Sequence, residues 1–428
     1  MKKIFVLSLV FVMLVLTFTG CTAPQPVVPE YLPDEEYSVE VLTEEYPAYS
    51  DEGFAEEVPE VPMDEEAYSE IIIQLPYTYT RPGDIAIEYI LFMNDYLYAR
   101  TAFTYRELET AQWLVETLIG KGFDCADIAV QEFTVLDAIS TLSIAGTHAL
   151  PTYDDFMAPI LVHAGERELR RYSQNVILTI PGESDKTIIV GAHYDTWAVP
   201  GANDNASGVA LLLESAYRMR DLDHYYTLIY AFFGAEEVGV MGSSYFLSTF
   251  SAAERDDVLF MLNADLLFEG PYLIFTPGIM VTGVQRGGQV GSNRITRAFE
   301  NIALELNELH DDLEFFSYPE GLYKFFSDHF PFYQRGIPVI MFSGMYRDDE
   351  MGFSRRPFMF YFEFDEDGDF QVNWTDTYHD GVFISHDGIL HSWRDDFSFI
   401  DDNWPGKMER AVWAYGLFLE AILLQQYY

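Results

Sequence analysis

Short apolar runs set the hydrophobic pattern of the chain, and more polar stretches separate them. Three of these runs span residues 187–192, 227–234 and 258–262, and they are rich in β-branched and aromatic residues. Runs of this length and composition are typical of buried β-strands. The runs 131–135 and 174–180 predict two further strands upstream.

Segments with helical periodicity alternate with these strands. They span residues 85–100, 105–121, 287–310 and 407–426, and Gly122 follows the second segment as a C-cap glycine. Strands that alternate with helices indicate an α/β sheet. In sheets of this class, ligands bind at the carboxyl ends of the strands. The residues that follow each strand are therefore the first candidates for catalytic or ligand-binding residues.

Acidic and imidazole side chains follow each of the three central runs. His193 and Asp195 come after the first, Glu236 and Glu237 after the second, and Asp265 after the third. Because the carboxyl ends of neighbouring strands meet at one edge of a sheet, we expect these side chains to converge. A histidine among several carboxylates is a set of groups that can hold a metal ion.

The loop between the first two runs adds another carboxylate. Asp204 lies among small residues in the segment 201–208, where a tight backbone can bring it into a crowded site. Taken alone, Asp204 is equally consistent with an N-cap of the following helix. His193 and Asp195 are two positions apart and would face the same side of a strand. Asp195 can therefore hold the ring that His193 presents to a metal.

The adjacent carboxylates of Glu236 and Glu237 point in different directions. One of them can bind a metal while its neighbour acts on a water molecule. Without a cation, adjacent acids at a sheet end repel one another. A fifth ligand is expected from a distant part of the chain, and the candidates are His310, His329, His379, His386 and His391.

The amino-acid composition of the chain limits which classes of ligand it can bind. The net charge of −45 leaves no basic patch for phosphates, which argues against nucleic-acid binding. The acidic surface is consistent with solubility alone, but it can also favour cationic ligands such as peptides with a free amino terminus. The two cysteines, Cys21 and Cys125, are too few for a disulfide framework.

The first 21 residues have the pattern of a secretory signal. A cationic start precedes an apolar run, and Thr19-Gly20-Cys21 follows it. A cysteine directly after a small residue resembles a bacterial lipoprotein signal, in which Cys21 becomes acylated and anchors an exported protein to a membrane. A plain secreted protein, or a protein whose apolar segment is an uncleaved anchor, is the alternative. The acidic, Pro-containing segment 22–81 is expected to be a disordered tether, and residues 82–428 a single catalytic domain.

Several motifs together resemble the co-catalytic di-zinc aminopeptidase family, which also contains the glutaminyl cyclases, glutamate carboxypeptidase and the transferrin receptor. The matching motifs are Asn175-Val176-Ile177, Gly191-Ala192-His193-Tyr194-Asp195, residues 201–208, Ala235-Glu236-Glu237 with Gly239 and Gly242-Ser243, Asn263-Ala264-Asp265, Ser327-Asp328-His329 with Gly336-Ile337-Pro338, and His391-Ser392 with Asp395. The resemblance implies a zinc-exopeptidase-like three-layer α/β sandwich, with a mixed, mostly parallel central sheet and helices on both faces.

The resemblance also implies a site with two zinc ions, for which cobalt or manganese could substitute. His193 and Asp265 would hold one ion, Glu237 and His391 would hold the other, and Asp204 would bridge them. In the same comparison, Glu236 would be the general base, and Asp195 would orient His193. The implied activity is hydrolysis of the N-terminal peptide bond of peptides.

This sequence departs from the family pattern after His193-Tyr194-Asp195 and near its end. Thr196 stands where the family has serine, and an aromatic, acidic insertion spans about residues 341–390. The insertion contains His379 and His386 as rivals to His391, and Tyr346 or Tyr378 as candidates for stabilising an oxyanion. His391 is preferred because Ser392 and Asp395 continue the family pattern.

Other catalytic classes lack their motifs in this sequence. It contains no Gly-x-Ser-x-Gly and no His-Glu-x-x-His, which disfavours serine hydrolases and one-zinc endoproteases. Two alternatives on the same scaffold stay open. One is a glutaminyl-peptide cyclotransferase with one zinc, and the other is a non-catalytic, receptor-like binding module.

Overall fold

A computed structural model describes the chain at residues 81–142, 160–161, 169–280, 290–319, 322, 326–348, 352–354, 360–364, 370–374 and 389–427. The strands are β1 (Ile128–Phe133), β2 (Ser173–Ile180), β3 (Ser184–His193), β4 (Tyr226–Phe233), β5 (Val258–Ala264), β6 (Tyr272–Met280), β7 (Val290–Gly291), β8 (Phe315–Ser317), β9 (Val339–Asp348), β10 (Gly352–Ser354), β11 (Phe360–Phe364) and β12 (Phe370–Trp374). The helices are α1 (Ala86–Tyr96), α2 (Tyr105–Gly120), α3 (Val135–Leu142), α4 (Ser207–Met219), α5 (Met241–Ser248), α6 (Ala252–Asp257), α7 (Arg294–Leu309), α8 (Phe330–Gln334), α9 (Phe397–Asn403) and α10 (Lys407–Leu423).

Ten of the strands form one sheet in the order β1-β2-β4-β3-β5-β9-β6-β7, with β8 beside β6 and β10 beside β9. The four central strands, β4, β3, β5 and β9, are mutually parallel. Antiparallel pairs flank them, because β2 runs against β4 and β6 runs against β9. The expected mixed α/β sheet with a parallel centre is confirmed. Its central strands point their carboxyl ends toward one edge.

Helices cover both faces of this sheet. Alternate residues of a strand face opposite sides, and in β2 the side chains of Val176 and Leu178 join one apolar cluster while Ile177 joins another. The first cluster includes residues of α1, α2, α4, α7 and α10, and the second includes residues of α5 and α8. Burial on both faces explains why the sequences of the central strands are continuous apolar runs rather than alternating apolar and polar residues.

The predicted elements are present, with shifted ends. The strand predicted at 131–135 lies at Ile128–Phe133, and the helix predicted at 407–426 ends at Leu423. The helix predicted to begin at 287 begins at Arg294, where Asn293 caps it by accepting hydrogen bonds from the amides of Ile295 and Thr296. In the part of the chain that the structure describes, every helix is too short or too polar to cross a bilayer.

A buried carboxylate on α4 anchors the beginning of the described chain. Glu214 accepts hydrogen bonds from the backbone amides of Gly83, Ile85 and Ala86, at 2.7, 3.1 and 2.7 Å. These amides belong to the turn before α1 and to its first residue, and amides at a helix start have no acceptor within the helix. Glu214 therefore ties α1 to α4, which in turn packs against the central sheet.

Replacing Glu214 by alanine should lower the free energy of unfolding by about 2–4 kcal/mol, because the change leaves buried amides without an acceptor. Denaturant titration of the full chain measures the effect. Glu109→Ala is the matched control, since its carboxylate is exposed and pairs with Arg106. The control should change the free energy by about 0.5 kcal/mol or less. Equal midpoints for the two variants would contradict the anchoring role.

Candidate metal centre

The ends of three neighbouring parallel strands bring the sequence-predicted acidic groups together. β3 ends at His193, β5 ends one residue before Asp265, and Glu236 and Glu237 follow the end of β4. β3 lies between the other two strands in the sheet. The carboxyl ends of parallel strands meet at one edge, and the side chains that follow them share one location.

An irregular turn over Ala202–Ala206, directly before α4, carries Asp204 into the same location. The Asp204–Asn205 peptide bond is cis. The Asp395 carboxylate accepts hydrogen bonds from the amides of Asn203 and Asp204, which holds the turn against the C-terminal part of the chain. Gly208 makes a close approach possible, because a Cβ at this position would lie 2.2 Å from the carbonyl oxygen of Ala264. This requirement explains the small residues around Asp204.

The Asp204 carboxylate lies between two imidazoles. Its Oδ1 is 3.2 Å from His193 Nε2, and its Oδ2 is 2.9 Å from His391 Nε2. Asp265 Oδ1 lies 3.5 Å from His193 Nε2, and Glu237 Oε2 lies 3.0 Å from His391 Nε2. All five residues that the sequence proposed as ligands are therefore in one cluster. Ligand atoms of His193, Asp204 and Glu237 lie within 4.8 Å of one another, close enough to surround one cation.

The backbone settles the tautomer that His193 adopts when neutral. Its Nδ1 lies 3.1 Å from the carbonyl oxygen of Asp195, which can only accept a hydrogen bond. Nδ1 must therefore carry a proton, and Nε2 of the neutral ring is left with a lone pair that faces Asp204 and Asp265. An imidazole oriented in this way is the usual arrangement at a metal site.

The Asp195 carboxylate lies near His193, and it also makes contacts with backbone amides that the sequence did not predict. Its Oδ1 is 3.6 Å from His193 Nδ1, beside the carbonyl contact. The same carboxylate accepts hydrogen bonds from the amides of Glu236 and Glu237, at 2.9 and 3.1 Å. Asp195 thereby connects the end of β3 to the two acidic residues after β4.

The electrostatics of the cluster favour a cation. Burial raises the pKa of Glu237 to about 7 and the pKa of Asp328 to about 7, and it raises the pKa of Glu236 well above its usual range. Glu237 Oε1 is buried and meets no hydrogen-bond donor within the described residues. Desolvated carboxylates that raise one another's pKa are stabilised when a metal ion supplies positive charge. The donor set of imidazole nitrogen and carboxylate oxygen suits zinc.

The two histidines supply part of the missing charge. Burial opposes protonation of His391, but the nearby Glu237 and Asp204 carboxylates outweigh it and raise the pKa of His391 to about 10. Burial likewise opposes ionisation of Asp204, yet hydrogen bonds from His193 and His391 hold the pKa of Asp204 below its usual range.

Three residues near the cluster carried no signal in the sequence. Arg100 is fully buried, and its guanidinium donates to the backbone carbonyls around the 194–201 loop. Glu107 accepts hydrogen bonds from Ser173 Oγ and from the amides of Phe103 and Ala235, and burial raises its pKa to about 8. The Trp197 indole contacts Glu237 and His391. The sequence periodicity placed Arg100 and Glu107 in predicted helices and indicated no further role. In the structure, α1 ends at Tyr96 and Arg100 lies beyond it.

Within the described residues, the ion pairs of the cluster include neither His310 nor His329. His310 follows α7 and packs edge-on against Trp413, with ring centroids 5.7 Å apart. His329 is buried directly before α8. His379, His386, Tyr378 and Cys21 lie outside the described residues, and so does the side chain of Tyr346.

Solved structures share this fold. A zinc aminopeptidase from Bacillus subtilis aligns over 81% of this chain and 95% of its own, with 15% identity and a TM-score of 0.52. A leucine aminopeptidase precursor from Bacteroides thetaiotaomicron aligns over 83% of this chain and 100% of its own, with 15% identity and a TM-score of 0.50. At this identity, the likeness establishes the architecture of the chain.

A family model covers the cluster together with the sheet around it. Residues 175–416, more than half of the 428-residue chain, match the model described as peptidase family M28. This chain belongs to family M28. The match includes every strand end and loop that contributes to the cluster, from β2 to the first half of α10.

Curated relatives of this M28 chain match it over shorter regions. Leucine aminopeptidase 1 of Neurospora crassa is 37% identical over 111 residues, which are 22% of this chain and 27% of that protein. A probable lipoprotein aminopeptidase of Mycobacterium tuberculosis is 37% identical over 98 residues, which are 22% of this chain and 20% of that protein. The chain thus spans about a quarter of the length of these relatives.

Proposed function

We propose that this chain is a metal-dependent aminopeptidase that hydrolyses the N-terminal peptide bond of peptides at a site with two zinc ions. The observation that carries the proposal is the Asp204 carboxylate, whose two oxygens each face a different imidazole. A carboxylate in this position can bridge two cations. Membership of a peptidase family and the names of the curated relatives support the reaction class.

The proposed ligands divide into two sets around Asp204. His193 and Asp265 hold one zinc ion, and this assignment is supported by the distances from His193 Nε2 to Asp204 Oδ1 and to Asp265 Oδ1, 3.2 and 3.5 Å. Glu237 and His391 hold the second ion, which is supported by the 3.0 Å between Glu237 Oε2 and His391 Nε2. Each ion then has one imidazole, one terminal carboxylate and a share of Asp204. Cobalt or manganese could fill the same sites.

The ions would supply a water molecule of lowered pKa and polarisation of the scissile carbonyl. Glu236 acts as the general base: its carboxylate takes a proton from the attacking water and gives it to the leaving amine. Asp195 holds the backbone amides of Glu236 and Glu237, which fixes the base relative to the metal ligand beside it. Burial raises the pKa of Glu236 well above its usual range, and the positive charge of the bound ions would favour the ionised form of its carboxyl.

The net charge of the protein is consistent with this substrate class. An acidic chain with a net charge of −45 attracts cationic ligands, and a peptide with a free N-terminus carries a positive ammonium group. We therefore place the α-amine of the substrate beside the metal ligands and the scissile carbonyl beside Glu236.

The test combines metal analysis with two substrates. The purified protein is stripped with a chelator, reloaded with zinc and analysed for bound metal. It is then assayed on aminoacyl-p-nitroanilides and on peptides with an N-terminal glutamine. The proposal expects two zinc ions per chain, release of p-nitroaniline, and loss of this activity on chelation.

Two other outcomes correspond to different functions. One zinc ion per chain, with ammonia released from glutaminyl peptides, would identify a glutaminyl-peptide cyclotransferase. A protein that binds no metal and cleaves neither substrate would be a binding module. Either result would overturn the aminopeptidase proposal.

Replacing His391 by alanine should remove one of the two zinc ions and most of the activity. The reason is that His391 Nε2 faces both Asp204 and Glu237, at 2.9 and 3.0 Å. Metal analysis of the reloaded variant measures the loss. His379→Ala and His386→Ala are the matched controls, and both variants should retain two ions. If His379→Ala loses zinc and His391→Ala does not, the ligand assignment at this position is wrong.

We also propose that the chain is exported and anchored to a membrane through an acylated Cys21, with segment 22–81 as a tether and residues 82–428 as the catalytic domain. The signal-like first 21 residues and the lipoprotein relative support this arrangement. The beginning of α1 at Ala86 supports the position of the domain boundary.

A further inference from the structure

The indole of Trp197 contacts both terminal ligands of one proposed metal position. Its Nε1 donates a hydrogen bond of 2.8 Å to Glu237 Oε2. Its ring stacks on the His391 imidazole, with centroids 4.7 Å apart and planes 22° from parallel. His391 Nε2 lies 3.0 Å from the same Glu237 oxygen. One aromatic side chain therefore touches the two groups that must be aligned for a metal ion to bind.

His391 needs such support because no regular element holds it. It lies in a short turn between Ile389 and Asp395, in which the amide of Ser392 donates to the carbonyl of Ile389. The φ of His391 is 52°, in the left-handed region that non-glycine residues seldom adopt. Strain of this kind persists only where the surroundings hold the residue in place. The stacked indole is a surrounding group that restricts the orientation of the ring.

Glu237 is oriented by the same indole in a different way. The hydrogen bond from Nε1 occupies one side of Oε2, and the amide of Glu237 is held by Asp195. Oε1 is buried without a donor in the described part of the chain. Glu237 is thus held at its backbone amide and at one carboxylate oxygen, and the remaining lone pairs of the carboxylate are available to a cation.

Trp197 can position these ligands because its own loop is fixed. The buried guanidinium of Arg100 donates to the carbonyl oxygens of Tyr194, Pro200 and Gly201, at 2.7, 2.9 and 3.0 Å. These carbonyls lie on both sides of Trp197 along the chain. A loop held by a buried cation at both ends has little freedom to move the indole away from the ligands.

We propose that Trp197 is a positioning residue that sets the affinity of the metal position formed by Glu237 and His391. The hydrogen bond and the ring stacking of the indole go to Glu237 and His391, so the affinity of the position formed by His193 and Asp265 should depend much less on Trp197. This inference rests on the proposed two-metal site, but it concerns unequal affinities within that site rather than the reaction.

The test is titration of the metal-free protein with zinc, which is monitored by calorimetry in the presence of a competing chelator. In Trp197→Phe, which keeps an aromatic ring and loses the N–H, one of the two zinc ions should bind at least roughly tenfold more weakly. Trp197→Leu, which also loses the stack, should weaken the same ion further. The affinity for the other ion should change less than about twofold. Trp393→Phe is the matched control, because the Trp393 side chain is 68% exposed.

Intrinsic fluorescence gives a second readout that does not depend on activity. The Trp197 indole contacts both ligands of this position, so filling the position should change the tryptophan emission of the wild-type protein. Trp393→Phe should keep that change, and Trp197→Phe should lose it.

The outcomes separate this inference from the proposed function. A wild-type protein that binds fewer than two zinc ions would overturn the proposed function. Two ions in the wild type, with unchanged affinities in Trp197→Phe, would overturn the role of Trp197 alone. Equal weakening of both ions, together with a lower unfolding midpoint, would show a purely structural role and would also overturn it.

Discussion

Replacing Glu236 by glutamine should lower kcat by at least roughly 100-fold while leaving two zinc ions bound. The side chain keeps its size but loses the ability to accept a proton. The surrounding protein desolvates the Glu236 carboxyl and raises its pKa, which is typical of a group that exchanges protons during a reaction. Steady-state kinetics with an aminoacyl-p-nitroanilide and metal analysis of the same sample measure the two quantities.

The matched control for this variant is Glu237→Gln, in the neighbouring residue. Glu237 Oε2 lies 3.0 Å from His391 Nε2, in the position of a ligand. This control should lose metal as well as activity, whereas Glu236→Gln should lose activity alone. If Glu236→Gln stays within a few-fold of the wild-type kcat, Glu236 is not the general base. If it loses zinc, Glu236 is a ligand instead.

Replacing Asp204 by alanine should have the largest effect on metal content. The Asp204 carboxylate is placed to serve both ions, because its oxygens lie 3.2 Å from His193 Nε2 and 2.9 Å from His391 Nε2. Removing it takes a ligand from each ion and leaves two cations facing each other without an anion between them. We expect less than one zinc ion per chain after reloading, and no measurable peptidase activity.

The control for Asp204→Ala is Asp221→Ala, which removes an equal negative charge from an exposed side chain. Asp221 is 70% exposed and pairs only with the neighbouring Arg220 among the ion pairs of the described residues. Asp221→Ala should retain two zinc ions and wild-type kinetics. An Asp204→Ala protein that still binds two zinc ions with unchanged affinity would rule out the bridging role.

The sheet and the strand-end residues could be predicted from local patterns. The apolar runs at 187–192, 227–234 and 258–262 correspond to the inner parts of β3, β4 and β5, because burial on both faces makes most of their inner positions apolar. The place of His193, Glu237 and Asp265 at one edge then follows from the parallel direction of the strands. Element ends were less accurate, as at α7, because capping by Asn293 decided where the helix begins.

The ligand from the distant C-terminal segment could not be chosen by pattern alone. His391 was preferred over His379 through the resemblance of its neighbours to a family motif, and the fold brings it within 2.9 Å of Asp204. The hydrogen bonds from the Asn203 and Asp204 amides to Asp395 make this approach possible. Contacts between segments so far apart depend on how the whole sheet folds, and the local periodicity of the sequence does not predict them.

The sequence by itself determined which residues would form buried strands, and which acidic and imidazole groups would follow them, because both depend on neighbours along the chain. Tertiary structure alone decided the strand order, the contact of Asp195 with the Glu236 and Glu237 amides, and the stacking of Trp197 on His391. It also decided that Arg100 is buried under the loop that carries Trp197. These features require groups that are distant in sequence to be packed together, and only the folded chain supplies that proximity.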